Sequence, residues 1–250
     1  AKIGKNVKIG PYCVIGSEVK ISDNVELISH VVIAGSTEVD EGTIFFPFSS
    51  IGQMPQDKKY KGENSKLIIG KNNIFREYTT ANPGTEGGGM VTKIGDNCLF
   101  MANSHIAHDC IVGNNVILAN SVALAGHVEL EDFVIIGGLS AVHQFVKIGK
   151  HAMIGGMSGV EKDVIPYGIV FGERAYLNGI NITGLKRRGI DKSNINEIRS
   201  AYDKIFGSER EGTFDERLKK VSEEYPDNEL IIYLLEFLQR EGSRSFCQPK

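Results

Sequence analysis

The sequence predicts a mainly β protein, a parallel β-helix of six-residue repeats followed by a small C-terminal α-helical domain. An apolar residue, usually aliphatic, stands at every sixth position through most of residues 1–165, beginning with Ile3, Ile9 and Ile15. An α-helix repeats near 3.6 residues and a strand at 2, so neither accounts for a period of six. Short strands separated by turns do, because successive coils of a solenoid stack these anchors into one continuous core.

A second position of the repeat supports this architecture. Four residues after each anchor stands a small or β-branched residue, as at Val7 and Cys13. Cys98 and Cys110 occupy the same inward position, and the fourth cysteine is Cys247. No two cysteines have the CxxC spacing of a zinc-ligand pair, so we expect reduced, packed thiols. Such thiols are typical of a cytoplasmic protein.

Breaks in the repeat divide the chain into regions. The β-helix is predicted over residues 1–170, with loop excursions at 53–66 and 86–92 where the anchors are interrupted. Residues 171–190 are expected to form an irregular connecting segment, because glycines recur there without a helical or strand period. Residues 191–250 are predicted to form the helical domain.

Three short amphipathic helices are expected in that domain. Ile195, Ile198 and Tyr202 recur at helix spacing, and Thr213 begins a sequence of capping-box form. Pro226 opens the last apolar stretch. The apolar faces of these helices are expected to form a modest core of their own.

Charge and hydropathy exclude several classes of function. The chain has 250 residues and a formal net charge of −3 at pH 7, which argues against general binding to nucleic acid. It contains neither a signal-peptide pattern nor an apolar run long enough to span a membrane. We therefore expect a cytoplasmic protein without a nucleic-acid partner or a transmembrane segment.

Histidines converge if three repeats make one triangular coil. Residues three repeats apart then lie on neighbouring coils, about 4.8 Å from each other. His108, Gly126 and Gln144 fall in one column, and Asp109 and His127 fall in the next. The remaining members of the predicted cluster flank these columns: His105 and His143.

This histidine cluster is compatible with two chemistries. An imidazole titrates near neutral pH and can take a proton from a nucleophile, and a carboxylate such as Asp109 can orient it. Several imidazoles can instead bind zinc, as in a carbonic-anhydrase-like trimer. A binding scaffold without turnover is a third possibility.

Two glycine pairs stack on a different corner of the predicted prism. Gly137-Gly138 and Gly155-Gly156 occupy the same position of the repeat on consecutive coils. They form either tight turns or a groove in which an extended ligand lies against the backbone.

Several segments together resemble the UDP-N-acetylglucosamine acyltransferase family, whose members perform the first acylation of lipid A biosynthesis. The resemblance covers essentially the whole chain, and its motifs are specific in combination. They are residues 51–53, 55–57, 75–77, 105–110, 124–128, 141–145 and 181–189.

The resemblance implies a left-handed β-helix and a homotrimer with sites between its subunits. It implies transfer of a 3-hydroxyacyl chain from acyl carrier protein to the 3-position of UDP-N-acetylglucosamine or its 3-amino analogue. Neither a cofactor nor a metal is implied, because the sugar would attack the thioester directly. Arg174 and Lys186 are candidates for docking the acidic carrier protein.

Carried over by position, His108 would be the general base, Asp109 its support, and the Gly126 N–H an oxyanion donor. The acyl-chain groove would contain Gly138, Gly155 and Gly156. The residues expected to bind the substrates are Gln56, Asp57, Lys59, Asn82, His105, His127, His143, Gln144, Asn181, Arg187 and Arg188.

Two positions depart from the family pattern. Asn82-Pro83 stands where many members have His-Arg, and Arg174 stands where members often have a histidine. The first change touches the substrate side of the cleft, so the sequence leaves open whether the acceptor carries a 3-hydroxyl or a 3-amine. Another hexapeptide-repeat acyltransferase, using acetyl-CoA or acting later in the pathway, remains the alternative enzyme.

Overall fold

The computed structural model describes residues 1–209, 211–240 and 242–250, and its main body is a triangular prism. Three parallel sheets form the faces of this left-handed β-helix, and each coil contributes one short strand to each face. We call the faces A, B and C in the order in which the chain first visits them.

Across the described residues, faces A and C each contain eight strands. Those of face A are β1 Lys2–Ile3, β4 Lys20–Ile21, β7 Ser36–Val39, β10 Lys66–Ile69, β13 Val91–Ile94, β16 Ile111–Val112, β19 Glu129–Leu130 and β22 Lys147–Ile148. Those of face C are β3 Val14–Ile15, β6 Val32–Ile33, β9 Ser50–Ile51, β12 Thr80–Ala81, β15 His105–Ile106, β18 Ala123–Leu124, β21 Ala141–Val142 and β24 Gly159–Val160.

Face B is longer. Its strands are β2 Lys8–Ile9, β5 Glu26–Leu27, β8 Ile44–Phe45, β11 Ile74–Phe75, β14 Leu99–Phe100, β17 Ile117–Leu118, β20 Ile135–Ile136, β23 Met153–Ile154, β25 Gly168–Phe171 and β26 Tyr176–Ile180. All pairs on this face are parallel except β25 with β26.

The register confirms the predicted stacking of positions three repeats apart. On face C, Ile106 pairs with Leu124, and Leu124 pairs with Val142. All three anchor side chains are buried, as the period of six predicts. The inward Cys98 and Cys110 are likewise buried and free, as expected.

Most corner turns contain a residue with positive φ, which costs little for Asn or Asp and more for larger side chains. Asn97 and Asn115 occupy this position at one corner. At another corner it is held by Asp109, His127 and Phe145, with φ of 59°, 62° and 65°. The same backbone conformation therefore recurs on consecutive coils and stacks these three side chains along one corner of the prism.

Both predicted excursions leave the coil and re-enter in register. The first lies between β9 and β10, and the second between β12 and β13, where it includes one turn of 3-10 helix at Glu86–Gly88. The second begins earlier than the predicted residue 86: β12 ends at Ala81, and the Gly84 N–H already donates to the Lys66 carbonyl at 3.2 Å. The two excursions touch: the Glu86 N–H donates to the Glu63 carboxylate at 3.1 Å.

The segment expected to be irregular, 171–190, is more ordered than predicted. It completes β25, forms β26 as an antiparallel partner, and then forms helix α1 at Ile182–Arg187. Gly172, at φ 114°, makes the hairpin turn. A hairpin this short has no period of its own, so the sequence pattern does not reveal it.

The helical domain contains the three expected helices in addition to α1. They are α2 Lys192–Phe206, α3 Phe214–Glu224 and α4 Glu229–Gln239. Thr213 and Glu216 form both hydrogen bonds of the capping box that the sequence predicts. In the described residues, none of these helices combines the length and apolarity that a bilayer crossing requires.

The aromatic centre of the prism generates a stability prediction. The Phe75 ring lies between Phe45 and Phe100, with ring centroids 4.9 and 4.7 Å away. We expect Phe75→Ala to lower the free energy of unfolding by about 3–5 kcal/mol, because it leaves a cavity in a closed core. Urea unfolding at fixed protein concentration measures this loss. Phe48→Ala, at a position 47% exposed, serves as the control, and equal losses from both variants would contradict the prediction.

Candidate active site

The predicted histidine cluster lies along one corner of the prism. We call this corner the His108 edge and define it as residues 107–110, 125–128 and 143–146, the turns that join face C to face A. His108 and Asp109 occupy consecutive positions of the first turn and are both more than nine-tenths buried. The adjacent turns add Gly126 and His127.

A buried carboxylate holds the His108 ring. His108 Nδ1 lies 2.8 Å from Asp109 Oδ2. The same oxygen accepts the Thr85 hydroxyl at 2.6 Å, while Oδ1 accepts the Thr85 N–H at 2.8 Å. The Asp109 N–H in turn donates to the Thr92 hydroxyl at 2.7 Å. These hydrogen bonds fix Asp109 and, through its carboxylate, the imidazole.

This arrangement assigns the proton on His108. An ionised carboxylate only accepts, so Nδ1 must carry the hydrogen and Nε2 must present its lone pair. Nε2 lies 3.9 Å from Asp57 Oδ2, which is too far for a hydrogen bond. A neutral imidazole with an unoccupied Nε2 can accept a proton from a hydroxyl group placed between His108 and Asp57.

Gly126 makes room for this ring. A Cβ at position 126 would lie 2.4 Å from His108 Cε1, so a side chain there would displace the imidazole. Within the described part of the chain, the Gly126 N–H makes no hydrogen bond. It is therefore free to donate to an anionic oxygen beside the imidazole, which is the role that the family resemblance implies.

His127 and His105 flank the central pair. The His127 ring stacks on Phe145 at 4.3 Å and meets His108 edge-on at 5.1 Å. Burial lowers the pKa of His127, although the Asp109 charge opposes the effect. Burial and the nearby His108 also lower the pKa of His105, whose Nδ1 lies 2.7 Å from the Thr80 hydroxyl. The lowered pKa values favour the neutral form of both rings.

The first excursion forms the opposite wall of the site. Asp57 faces His108, and its other oxygen accepts the Lys59 N–H at 2.9 Å. Gln56 and Lys59 are exposed. Asn82 is buried and donates to the Gln53 carbonyl at 3.0 Å, so its amide ties the excursion to the β-helix.

The third turn of the His108 edge is more open. His143 and Gln144 are both exposed, and both are in contact with Arg244 of the C-terminal tail. Gln144 lies in the column of His108 and Gly126, as the stacking of the coils predicts.

Two predicted groups lie elsewhere on the chain. Gly138, Gly155 and Gly156 form the corner between faces B and C, which we call the Gly156 edge (residues 119–122, 137–140 and 155–158). A Cβ on Gly156 would lie 3.2 Å from the Gly138 carbonyl oxygen. A single chain therefore does not bring these glycines to the His108 edge.

Three of the predicted substrate-binding residues, which the family resemblance assigns to the nucleotide end of the UDP-sugar, lie near the third corner, between faces A and B. Asn181 caps α1 by accepting the Gly184 N–H at 3.0 Å, and it also donates to the His151 carbonyl at 2.9 Å. The Arg188 guanidinium stacks on the Phe133 ring at 4.5 Å. Arg187 is exposed at the end of α1. Asn181 thus has a structural role that its sequence context did not reveal.

Sequence reasoning missed three residues that hold Asp109. They are Thr85, Thr92 and Gly88, where a Cβ would lie 2.0 Å from the Asp109 carboxyl carbon. Thr85 and Gly88 lie in or beside the second excursion, outside the repeat. The six-residue repeat does not predict their positions. The only sequence feature that marks this segment is the high density of glycine in the second excursion.

His108, Asp109 and His127 could also offer three ligand atoms to a metal, all within 4.8 Å of one another. Asp109 Oδ2 already accepts two hydrogen bonds, from the Thr85 hydroxyl and from His108 Nδ1, so a metal bound to this oxygen would displace a bond that holds the imidazole. This donor set therefore fits an orienting carboxylate better than a metal ligand.

Comparison with known proteins decides the family. A family model described as UDP-N-acetylglucosamine O-acyltransferase, domain 2, matches residues 163–247, and the bacterial transferase hexapeptide model matches residues 1–35 and 92–126. The acyl-[acyl-carrier-protein]–UDP-N-acetylglucosamine O-acyltransferase of Rickettsia canadensis is 55% identical over 247 residues, covering 99% of this chain and 93% of that protein. This chain belongs to the UDP-N-acetylglucosamine O-acyltransferase family.

Further relatives and solved structures agree with this family. The enzyme of the same description from Rhizobium johnstonii is 46% identical and covers 100% of this chain and 91% of its own length. A crystal structure of a UDP-N-acetylglucosamine acyltransferase superposes with a TM-score of 0.94 at 44% identity, covering 100% of this chain and 95% of that one. The Francisella novicida acyltransferase structure gives 0.93 at 35% identity, covering 99% and 90%.

The role of Thr85 can be tested by an isosteric change. Thr85→Val removes one hydroxyl donor to Asp109, so the His108 ring loses part of its alignment. We expect the acyltransferase kcat to fall about tenfold, in line with the loss of a hydrogen bond to a charged group. Thr79→Val is the matched control, because that buried hydroxyl bonds the Arg76 carbonyl instead. A wild-type kcat for Thr85→Val would show that the bond is dispensable.

Proposed function

We propose that this protein transfers a 3-hydroxyacyl chain from acyl carrier protein to the 3-position of UDP-N-acetylglucosamine, the first acylation of lipid A biosynthesis. The observation that carries the mechanism is the His108–Asp109–Thr85 chain of hydrogen bonds, which leaves His108 Nε2 as a free base. Membership of the family supplies the reaction class.

The reaction needs no covalent enzyme intermediate. His108 Nε2 takes the proton of the sugar 3-hydroxyl as its oxygen attacks the thioester carbonyl. The tetrahedral oxyanion accepts the Gly126 N–H. The intermediate then expels the carrier thiolate, and the imidazolium returns the proton to that sulfur. Asp109 stabilises the imidazolium throughout without itself changing protonation.

The first excursion holds the acceptor in this proposal. Asp57 faces the space in front of Nε2, where a sugar hydroxyl or a 3-amine would lie. Gln56 and Lys59 are exposed beside it and can reach the sugar or its phosphates. Asn82 acts indirectly, because its amide fixes the Gln53 carbonyl of the excursion.

The predicted site residues lie on three separate corners of the prism, and this separation supports a homotrimer. Gly156 and Arg188 lie on corners that a single chain keeps apart from His108. Neighbouring copies side by side would place the Gly156 edge of one chain opposite the His108 edge of the next. The acyl groove and the nucleotide site would then be completed between subunits.

The proposed compartment is the cytoplasm, and the proposed partners are acyl carrier protein and the UDP-sugar. Four free cysteines among the described residues support a reducing compartment. Burial raises the pKa of the Cys98 and Cys110 thiols to about 12, so neither competes as a nucleophile. Arg174, which is exposed, and Lys186 remain candidates for docking the acidic carrier.

The central experiment replaces the proposed base. We expect His108→Ala to lose at least about 10²-fold in kcat, because it removes general-base catalysis. His30→Ala, an exposed histidine on another corner, is the control. Product is read by mass spectrometry from matched carrier-bound donors and UDP-N-acetylglucosamine. A folded His108→Ala enzyme with near wild-type turnover would remove His108 from the mechanism. Stoichiometric zinc in active protein would instead favour the metal hypothesis.

The groove is tested by a graded series at one position. Gly156→Ala and Gly156→Met add progressively more volume over the Gly138 carbonyl. We expect the preferred donor to become shorter in that order, because the side chain shortens the groove. An unchanged chain-length profile in the Met variant would refute the assignment.

A further inference from the structure

The C-terminal tail lies against the candidate active site. After α4 the chain returns to the prism, where the Asp163 N–H donates to the Ser245 carbonyl at 2.9 Å and the Cys247 N–H donates to the Asp163 carbonyl at 2.8 Å. The Leu177 N–H donates to the Gln248 carbonyl at 3.0 Å, and the Cys247 side chain is buried. The tail is thus fixed to the β-helix by its backbone, independently of any one side chain.

This placement makes the tail a wall of the site. Gly242 and Ser243 line a cavity of about 420 Å³ together with Asp109, His127 and Phe145. The second excursion closes the same cavity from the other side. Residues near the C-terminal end of the chain therefore complete the surroundings of Asp109.

One side chain of the tail reaches the open turn of the His108 edge. Arg244 Nε donates to the Gln144 carbonyl at 3.2 Å, and Arg244 Nη2 lies 2.8 Å from His143 Nδ1. A guanidinium has five N–H donors and no acceptor. His143 Nδ1 also lies 3.4 Å from the Gln144 carbonyl oxygen, but its contact with Arg244 Nη2 is much shorter. The shorter contact requires the lone pair of Nδ1, which leaves the hydrogen of a neutral ring on Nε2.

We propose that Arg244 is a positioning residue that holds His143 in the Nε2–H tautomer, so that this ring presents a donor to the acceptor substrate. Anchoring of the Gln144 carbonyl by the same guanidinium fixes the turn on which His143 stands. The inference rests on the proposed function for its substrate, whereas the tautomer is a property of the free protein.

A tautomer measurement tests the free protein first. Protein labelled with ¹⁵N-histidine reports which ring nitrogen carries the hydrogen, and His143→Ala identifies the resonances of His143. We expect the Nε2–H form in the wild type and a mixture of tautomers in Arg244→Ala. The same tautomer in both proteins would overturn the proposal.

Kinetics tests the consequence. We expect Arg244→Ala to raise KM for the UDP-sugar about tenfold and to change kcat by less than about twofold. A tenfold change is typical of the interaction between two residues in direct contact, here Arg244 and His143. Arg244→Lys keeps the charge but supplies one nitrogen in place of two, so a smaller rise in KM is expected. Lys250→Ala, a cation of the same tail that lies over the Tyr176 ring, should leave KM unchanged.

A double variant separates positioning from direct binding. If Arg244 acts through His143, adding Arg244→Ala to His143→Ala raises KM no further. Additive losses would mean that Arg244 contacts the substrate itself, and they would overturn the proposal. A wild-type protein inactive with every donor and acceptor would refute the proposed function, while the tautomer result would stand on its own.

Discussion

The rest of the structure depends on the register of the β-helix, in which equivalent residues of successive coils lie one above another. This register places the His108 ring over Gly126 and stacks His127 on Phe145. It survives both excursions: Ser50 pairs with Thr80 across the first, and Thr80 pairs with His105 across the second. Extra residues therefore leave the coil as loops and do not shift any anchor out of the core, which is where a slip would be most costly.

The same constraint explains how the site combines rigid and inserted parts. The prism fixes the height and direction of His108, while Thr85 arrives from a loop and meets Asp109 in a buried environment. Hydrogen bonds to a carboxylate are strong there, and an unpaired partner would be expensive. The proposed chemistry thus requires both the regular coils, which position His108, and the second excursion, which supplies Thr85.

The parts of the molecule that follow a period were predictable from the sequence. The stacking of Asp109 with His127 follows from arithmetic on the repeat, and the capping box at Thr213 follows from local hydrogen-bond chemistry. Thr85 and Arg244 were not predictable in this way, because their positions depend on where a loop and a tail settle on the finished prism. Asn181 shows a different limit: the resemblance implies a ligand contact, which stays a prediction, and the structure adds a helix cap and a bond to the His151 carbonyl that no sequence pattern indicated.

In the proposed mechanism, His108 Nε2 is a free base that faces the sugar 3-hydroxyl. A crystal structure of the wild-type protein with UDP-N-acetylglucosamine, in the absence of donor, measures this most directly. We expect the 3-oxygen of the sugar within hydrogen-bond distance of His108 Nε2, about 2.6–3.2 Å, with the His108–Asp109 bond intact. A well-occupied sugar whose 3-oxygen lies far from Nε2, or an Nε2 bound to a metal ion, would contradict it.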